Sequence, residues 1–206
     1  MSSKDHWENV YATKASDSVS WFQPHAALSL RMIRDAGASL SAEIIDIGGG
    51  ASTLVDDLAT SGHTALTVLD LSGTALAKSK ARLGANGERI RWREGDITQT
   101  ELPEQAYDVW HDRAAFHFLV EPGDRERYVV QLQRSLRAGG CVIIATFADD
   151  GPVRCSGLPV VRYSPAALDA ELGASFELVE HEREAHRTPS GTVQSFVYCR
   201  WRRRAS

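Results

Sequence analysis

The run Asp46-Ile47-Gly48-Gly49-Gly50-Ala51-Ser52 has the residue types needed for a close approach of backbone to ligand. Glycines remove the side-chain bulk there, and a helix opening just behind them offers free N–H groups. A tight turn accounts for the same glycines, so this run alone decides nothing. The dinucleotide pattern GxGxxG would need a glycine at position 53, where Thr53 stands. Asp70, followed by Leu71, comes 20 residues after Gly50. A carboxylate in that position can accept both hydroxyls of a ribose, or it can simply complement a helix N-terminus. Gly95-Asp96-Ile97 adds a third acid, able to accept from an exocyclic adenine amine while Ile97 packs against the ring. Together, in this order and at the ends of β-rich runs, the three sites imply an adenosine-bearing ligand.

Strands followed by helices must position these groups. Short β-rich runs predict strands at Glu43–Ile47, Ala65–Leu69, Ile90–Glu94, Tyr107–His111, Cys141–Phe147, Phe176–Glu182 and Thr192–Trp201. Helices are expected near Thr53–Thr60, Thr74–Leu83, Asp124–Leu136 and Pro165–Leu172. The connection Arg183–Gly191 is too short for a helical crossover, so the last two strands form an antiparallel hairpin. The expected fold is α/β: a Rossmann-like, seven-stranded, mostly parallel sheet with a C-terminal antiparallel hairpin and helices on both faces. Two further helices, Asp5–Ala15 and Pro24–Ala36, flank Ser20-Trp21-Phe22-Gln23 ahead of the first strand. The expected division is one domain over residues 1–206, with 1–40 a helical lid and 41–206 the sheet and its loops.

Over Glu43–Ala148 the sequence resembles the class I S-adenosylmethionine-dependent methyltransferases. Asp46, Gly48 and Gly50 match the family's Asp-x-Gly-x-Gly, Asp70 its ribose acid and Asp96 its adenine-side acid. Tyr107-Asp108-Val109-Trp110 looks like its fourth strand, and Leu136-Arg137-Ala138-Gly139-Gly140 like the turn before its fifth. Ala51-Ser52 departs from the family's frequent Thr-Gly but keeps small residues. His6-Trp7-Glu8-Asn9-Val10-Tyr11 and Ser20-Trp21-Phe22 loosely resemble the openings of small bacterial methyltransferases and of some protein-lysine methyltransferases.

The resemblance implies S-adenosyl-L-methionine as cofactor and S-adenosyl-L-homocysteine as its product, held by Asp46, Gly48, Gly49, Gly50, Asp70, Leu71, Asp96 and Ile97. It puts the methyl group beyond the fourth strand, at His111-Asp112-Arg113-Ala114-Ala115-Phe116-His117. Asp112 would then accept from the cofactor's ammonium, and Arg113 would pair with its carboxylate or with an acidic substrate. His111 is the leading general-base candidate. His117 is either a packing residue or part of the acceptor site. Trp21, Phe22, Arg154 and Cys155 are the remaining candidates for the lid and acceptor face. Cys155 is open to a reactive-thiol or an incidental reading.

Composition bounds the partners. The chain has 206 residues, 43% hydrophobic and 24% charged, and 23 Lys+Arg against 27 Asp+Glu leave a net charge of −4. That balance gives no reason to expect nucleic acid or an acidic membrane surface. An Asn/Asp-Pro-Pro-aromatic run, the family's mark for methylating base amines, is replaced here by His-Asp-Arg-Ala. Only Lys4, Lys14, Lys78 and Lys80 are lysine, and the arginine surplus reads as genomic bias. Three cysteines without CxxC spacing imply no metal site and fit a reducing cytoplasm. The opening Met1–Glu8 has no apolar core of a signal peptide, and no apolar run approaches a membrane span. The expected function is methyl transfer to a small-molecule acceptor. A protein (lysine) side chain is the second acceptor class, and a non-catalytic cofactor-binding module the competitor from another class.

Overall fold

The structure, a computed structural model, describes residues 3–205; positions 1, 2 and 206 of the expected division lie outside the described residues. In chain order the elements are α1 (Ser3–Thr13), α2 (Ala27–Asp35), β1 (Ile44–Ile47), α3 (Leu54–Thr60), β2 (Leu66–Asp70), α4 (Gly73–Leu83), β3 (Arg91–Glu94) and β4 (Tyr107–Arg113). There follow α5 (Pro122–Ser135), β5 (Leu136–Phe147), β6 (Arg154–Cys155), β7 (Leu158–Pro159), α6 (Pro165–Leu172), β8 (Phe176–Arg187) and β9 (Val193–Arg203).

Seven strands form one sheet in the order β3-β2-β1-β4-β5-β9-β8. The first five are parallel, while β9 runs antiparallel to β5 and β8 antiparallel to β9. Strand β1 is buried at all four positions, three of them isoleucine, because both its faces are covered. Ile45 and Ile47 pack into one core layer with Trp110, Tyr128 and Leu132, and Ile44 into the other with Met32, Leu54 and Val68. Chain direction across the sheet reverses between β1 and β4, which opens a crevice at the carboxyl ends of these two strands.

Local chemistry fixes the helices that frame this crevice. Ser72 caps α4, its hydroxyl accepting from the amide of Ala75 at 3.1 Å. Pro122 and Pro165 stand at the first turns of α5 and α6, where a missing N–H costs nothing.

Four expectations about elements change. Strand β4 runs on to Arg113, so His111, Asp112 and Arg113 belong to a strand and point alternately to opposite faces. Strand β5 begins directly after α5 at Leu136, not at Cys141, because a register shift, with Gly139 at a φ of 75°, absorbs the intervening residues. The segment Arg183–Gly191 is mostly strand: β8 continues to Arg187, and the turn closes with the Thr188 amide donating to the Thr192 carbonyl at 2.8 Å. A small hairpin, β6–β7, stands where a loop after the fifth strand was expected.

Candidate cofactor and acceptor site

A cavity of about 540 Å³ lies over the crevice, and a second of about 40 Å³ adjoins it. Asp70, Leu71, Asp96, Ile97, Gly48 and Arg113 line the large one. Asp46, Gly48, Gly49, His111, Arg113 and Phe22 line the small one, and Trp21 borders both.

The glycine loop is a cradle that side chains would fill. A Cβ on Gly49 would stand 2.4 Å from Asp46 Oδ2, and one on Gly50 2.5 Å from Asp70 Oδ2. Gly48 has a φ of 67° and faces the Cβ of Ala115 after β4, so only glycine fits there. The carboxylates are therefore pressed against bare backbone. Asp70 accepts from the Ser72 amide at 2.8 Å, and burial pushes its carboxyl up to about 7 against the pull of that amide and of Gly50. Asp96 accepts from the amide and hydroxyl of Thr98, at 2.8 and 2.7 Å, and from Gln99 at 3.2 Å.

The alternation of β4 separates residues that the sequence lists side by side. Asp112 points with Trp110 toward α5. It accepts from the amides of Ala115 and Phe116 and, at 2.8 Å, from the Tyr128 hydroxyl, which itself accepts from the Trp110 indole at 2.8 Å. Burial pushes its carboxyl up to about 6, and those donors hold it from rising further. Asp112 is fully buried and lines neither cavity, so the expectation that it meets the ammonium of a cofactor is corrected: it anchors the turn after β4.

His111 points to the opposite face. Its Nδ1–H donates to Asp46 Oδ1 at 2.7 Å, since a carboxylate can only accept, and its Nε2 meets the Ser29 hydroxyl of α2 at 2.8 Å. The ring is 2% exposed and both nitrogens are spent. His111 therefore has no lone pair to offer an acceptor, and the general-base expectation is replaced by a positioning role on Asp46. The other oxygen, Asp46 Oδ2, is buried without a hydrogen-bond partner among the described residues.

Arg113 donates from Nε to the Tyr198 hydroxyl at 2.7 Å and from one terminal nitrogen to the Trp21 carbonyl at 2.8 Å. Its guanidinium lies 4.6 Å from the Phe196 ring centre. The second terminal nitrogen stands 3.6 Å from Glu184 and makes no hydrogen bond among the described residues.

His117 is not at the cavity. It is fully buried, its Nδ1 accepts from the Phe147 amide at 3.2 Å, and burial pushes it down to about 3, so it is a neutral packing residue. Arg154 is likewise outside the cavity, its guanidinium folded onto the Gly157 carbonyl within the β6–β7 turn. Cys155 does line the large cavity, but it is buried and its thiol is pushed up to about 11, so it carries no thiolate at neutral pH. Among the described residues no cluster of His, Cys, Asp and Glu could hold a metal ion.

The N-terminal segment crosses the cavity and supplies residues that motif reading did not single out. His6, Trp7 and Tyr11 of α1 line it, opposite Phe118. Trp7 makes edge-on contacts with Trp21 at 5.5 Å and with Phe118 at 5.0 Å. Glu8 accepts from the Gly73 and Thr74 amides at 2.6 and 3.3 Å, Lys4 pairs with Glu94 of β3, and His6 meets Ser156 of the β6–β7 hairpin at 3.3 Å. A dense aromatic run in an N-terminal helix was the available signal. Its spacing could not say which rings turn inward.

A family model described as a methyltransferase domain matches residues 44–140. The eEF1A lysine and N-terminal methyltransferase of Mus musculus is 22% identical over 152 residues, which make up 69% of this chain and 22% of that protein. The chain thus spans about a fifth of the length of the first curated relatives it matches. A structure described under the conversion of a disulfide bond into a thioacetal group during echinomycin biosynthesis aligns with a TM-score of 0.78 at 18% identity, covering 98% of this chain and 93% of the other. The 1,6-didemethyltoxoflavin-N1-methyltransferase of Burkholderia thailandensis, with bound 1,6-didemethyltoxoflavin and S-adenosylhomocysteine, aligns at 0.69 and 20% identity, covering 98% and 84%. Likeness at these identities establishes the fold.

Proposed function

The chain carries a class I S-adenosylmethionine-dependent methyltransferase domain, and from that premise we propose that it transfers a methyl group from S-adenosylmethionine to a small-molecule acceptor. The observation that carries the proposal is the glycine cradle closed by two buried carboxylates. Asp46 Oδ2 is an orphaned acceptor beside Gly49, and Asp70 and Asp96 face the neighbouring cavity. These residues fit the cofactor. Asp70 would accept from its ribose hydroxyls, Asp96 would take the adenine side with Leu71 and Ile97 against the ring, and Asp46 Oδ2 would accept from its ammonium. The Arg113 nitrogen without a hydrogen bond would meet its carboxylate. When bound, the cofactor supplies a methyl group already activated on a sulfonium.

The protein's own contribution is alignment and exclusion of water. We read residues 1–40 as the lid and 41–206 as the sheet with its substrate loops. Arg113 ties that lid to the sheet through the Trp21 carbonyl, and His111 fixes the orientation of Asp46. Enclosure by α1 and the β6–β7 hairpin favours a small acceptor over a protein side chain, which would need an open channel. The lysine methyltransferase relative keeps the protein class as the second reading. No helix of the described residues is long and apolar enough to cross a membrane, and three unpaired cysteines support a reducing, cytoplasmic setting. Titration calorimetry with S-adenosylmethionine and S-adenosylhomocysteine tests the proposal: binding of both is expected, and binding of neither sinks it.

A further inference from the structure

The acceptor end of the large cavity can be located from strand order. Asp96 follows β3, whereas the β6–β7 hairpin follows β5, and β4 lies three strand spacings from β3, about 14 Å. At the hairpin end the walls are Trp7, Phe118, Cys155, Leu158 and Pro159, with no lysine, and the one arginine, Arg113, is engaged with Tyr198, Trp21 and Glu184. Such walls suit a small, flat, largely apolar molecule and offer little to an anion.

Within this apolar end stands one histidine. Of the seven in the chain, His111 and His117 are excluded above, and His186 is buried with its Nε2 at 2.8 Å from the Ser20 carbonyl. His25 pairs with Asp57 at the surface, and neither His63 nor His181 lines the cavity. His6 lines it, half-buried, its ring edge-on to Trp7 at 5.1 Å. Its Nε2 is hydrogen-bonded to the Ser156 hydroxyl at 3.3 Å, so that among the described residues, unlike His111, it has one ring nitrogen engaged rather than both. The charged or titratable groups sharing the cavity are Arg113 of β4, Asp70 of β2, Asp96 after β3, Asp124 of α5, Tyr11 of α1 and the Cys155 thiol of β6. Asp70 and Asp96 are satisfied by backbone and threonine donors at the far end, Asp124 pairs with Arg127, and burial holds Tyr11 and Cys155 protonated.

Resting on the methyl-transfer reading above, we propose that the acceptor is a small apolar, phenol-like molecule bearing a weakly acidic X–H, and that His6 takes its proton. His6 accepts the proton as X bonds to the methyl carbon. The carbon–sulfur bond breaks with its electron pair retained on sulfur, and the positive charge lost there reappears on the imidazolium. Because α1 carries the base, proton removal is available only when Glu8 and Lys4 hold the lid against α4 and β3.

The test compares the full chain with His6→Gln, using labelled S-adenosylmethionine and two probes, phenol and thiophenol. At pH 7.5 phenol keeps its proton and thiophenol has lost it. Phenol turnover should fall about 100-fold in the variant, thiophenol turnover should stay within about threefold, and the rising limb of the phenol pH–rate profile should disappear. Calorimetric affinity for S-adenosylhomocysteine should be unchanged. Equal losses on both probes, or no loss on phenol, overturn the role of His6. Failure of both probes while S-adenosylhomocysteine binds overturns the acceptor class, and labelling of a lysine peptide instead assigns the site to protein. Failure of S-adenosylhomocysteine to bind the unaltered chain defeats the methyl-transfer reading itself.

Discussion

The carboxylate of Glu8, in α1, accepts a hydrogen bond from the backbone amide of Gly73, the first residue of α4, at 2.6 Å. A helix more than sixty positions away in the sequence is thus capped from outside, beside Asp70 at the end of β2.

Replacing Glu8 by Ala should therefore loosen α1 and fray α4 together. Hydrogen bonds from Thr74 and Gly73 hold the Glu8 carboxyl below its ordinary value of 4.5. A depressed acid contributes stability above its unfolded pKa and loses it as pH falls through the folded one. Denaturant unfolding at pH 7 should show a loss of about 1 kcal/mol, shrinking as pH falls below the ordinary 4.5 and through the depressed folded value. An unchanged midpoint at pH 7 would mean that the contact carries no energy.

Asp70 works in the opposite sense. Its carboxyl, pushed up to about 7 by burial, keeps a proton that the unfolded chain gives up above its ordinary 3.8. The native state binds more protons across that window, so this group makes stability fall as pH rises from 3.8 toward 7. Asp70→Asn should remove that fall and raise the melting temperature at pH 8. Affinity for S-adenosylhomocysteine should strengthen through pH 7 in the native chain and be weaker and flat with pH in the variant. Calorimetry at pH 6 and pH 8 reads both.

His111→Ala should cost about 3 kcal/mol, because it leaves the Asp46 carboxylate buried without its partner and strands the Ser29 hydroxyl. Equilibrium unfolding in urea measures this. A variant as stable as the native chain would remove His111 from its positioning role.

The cysteines should be silent. Burial pushes Cys141 and Cys199 up to about 12 and Cys155 up to about 11. Iodoacetamide at pH 7.5 should label none of them in the folded protein and all three in urea, as counted by mass spectrometry. Rapid labelling of Cys155 in the folded state would show that the hairpin opens readily.

The sequence disclosed what is local. Asp46, the three glycines, Asp70 and Asp96 each stand at or just beyond the end of a strand, so both their chemistry and their positions could be read from adjacent residues. The C-terminal hairpin followed from the short connection before the last strand, whereas the order of strands across the sheet is set by contacts distant in the chain. Asp112 and His111 were misjudged for a definite reason. Two more residues of β4 pair with β5, and strand alternation then sends Asp112 to Tyr128 and His111 to Ser29. Nothing in the spacing distinguishes the face that meets a ligand from the face that meets a helix. His6 was quoted only for its family likeness, since its place depends on α1 docking against α4 and the β6–β7 hairpin, contacts spanning as many as 150 positions.

The ring contact between Trp7 and Trp21 makes the molecule its own optical gauge. Trp110 and Trp201 are fully buried and hydrogen-bonded to Tyr128 and Asp169, and Trp92 bonds to the Gly87 carbonyl away from the cavity. These three supply a constant emission. Only the indoles that roof the cavity change neighbours when it fills or opens, so shifts in intrinsic fluorescence report the N-terminal segment without any attached dye.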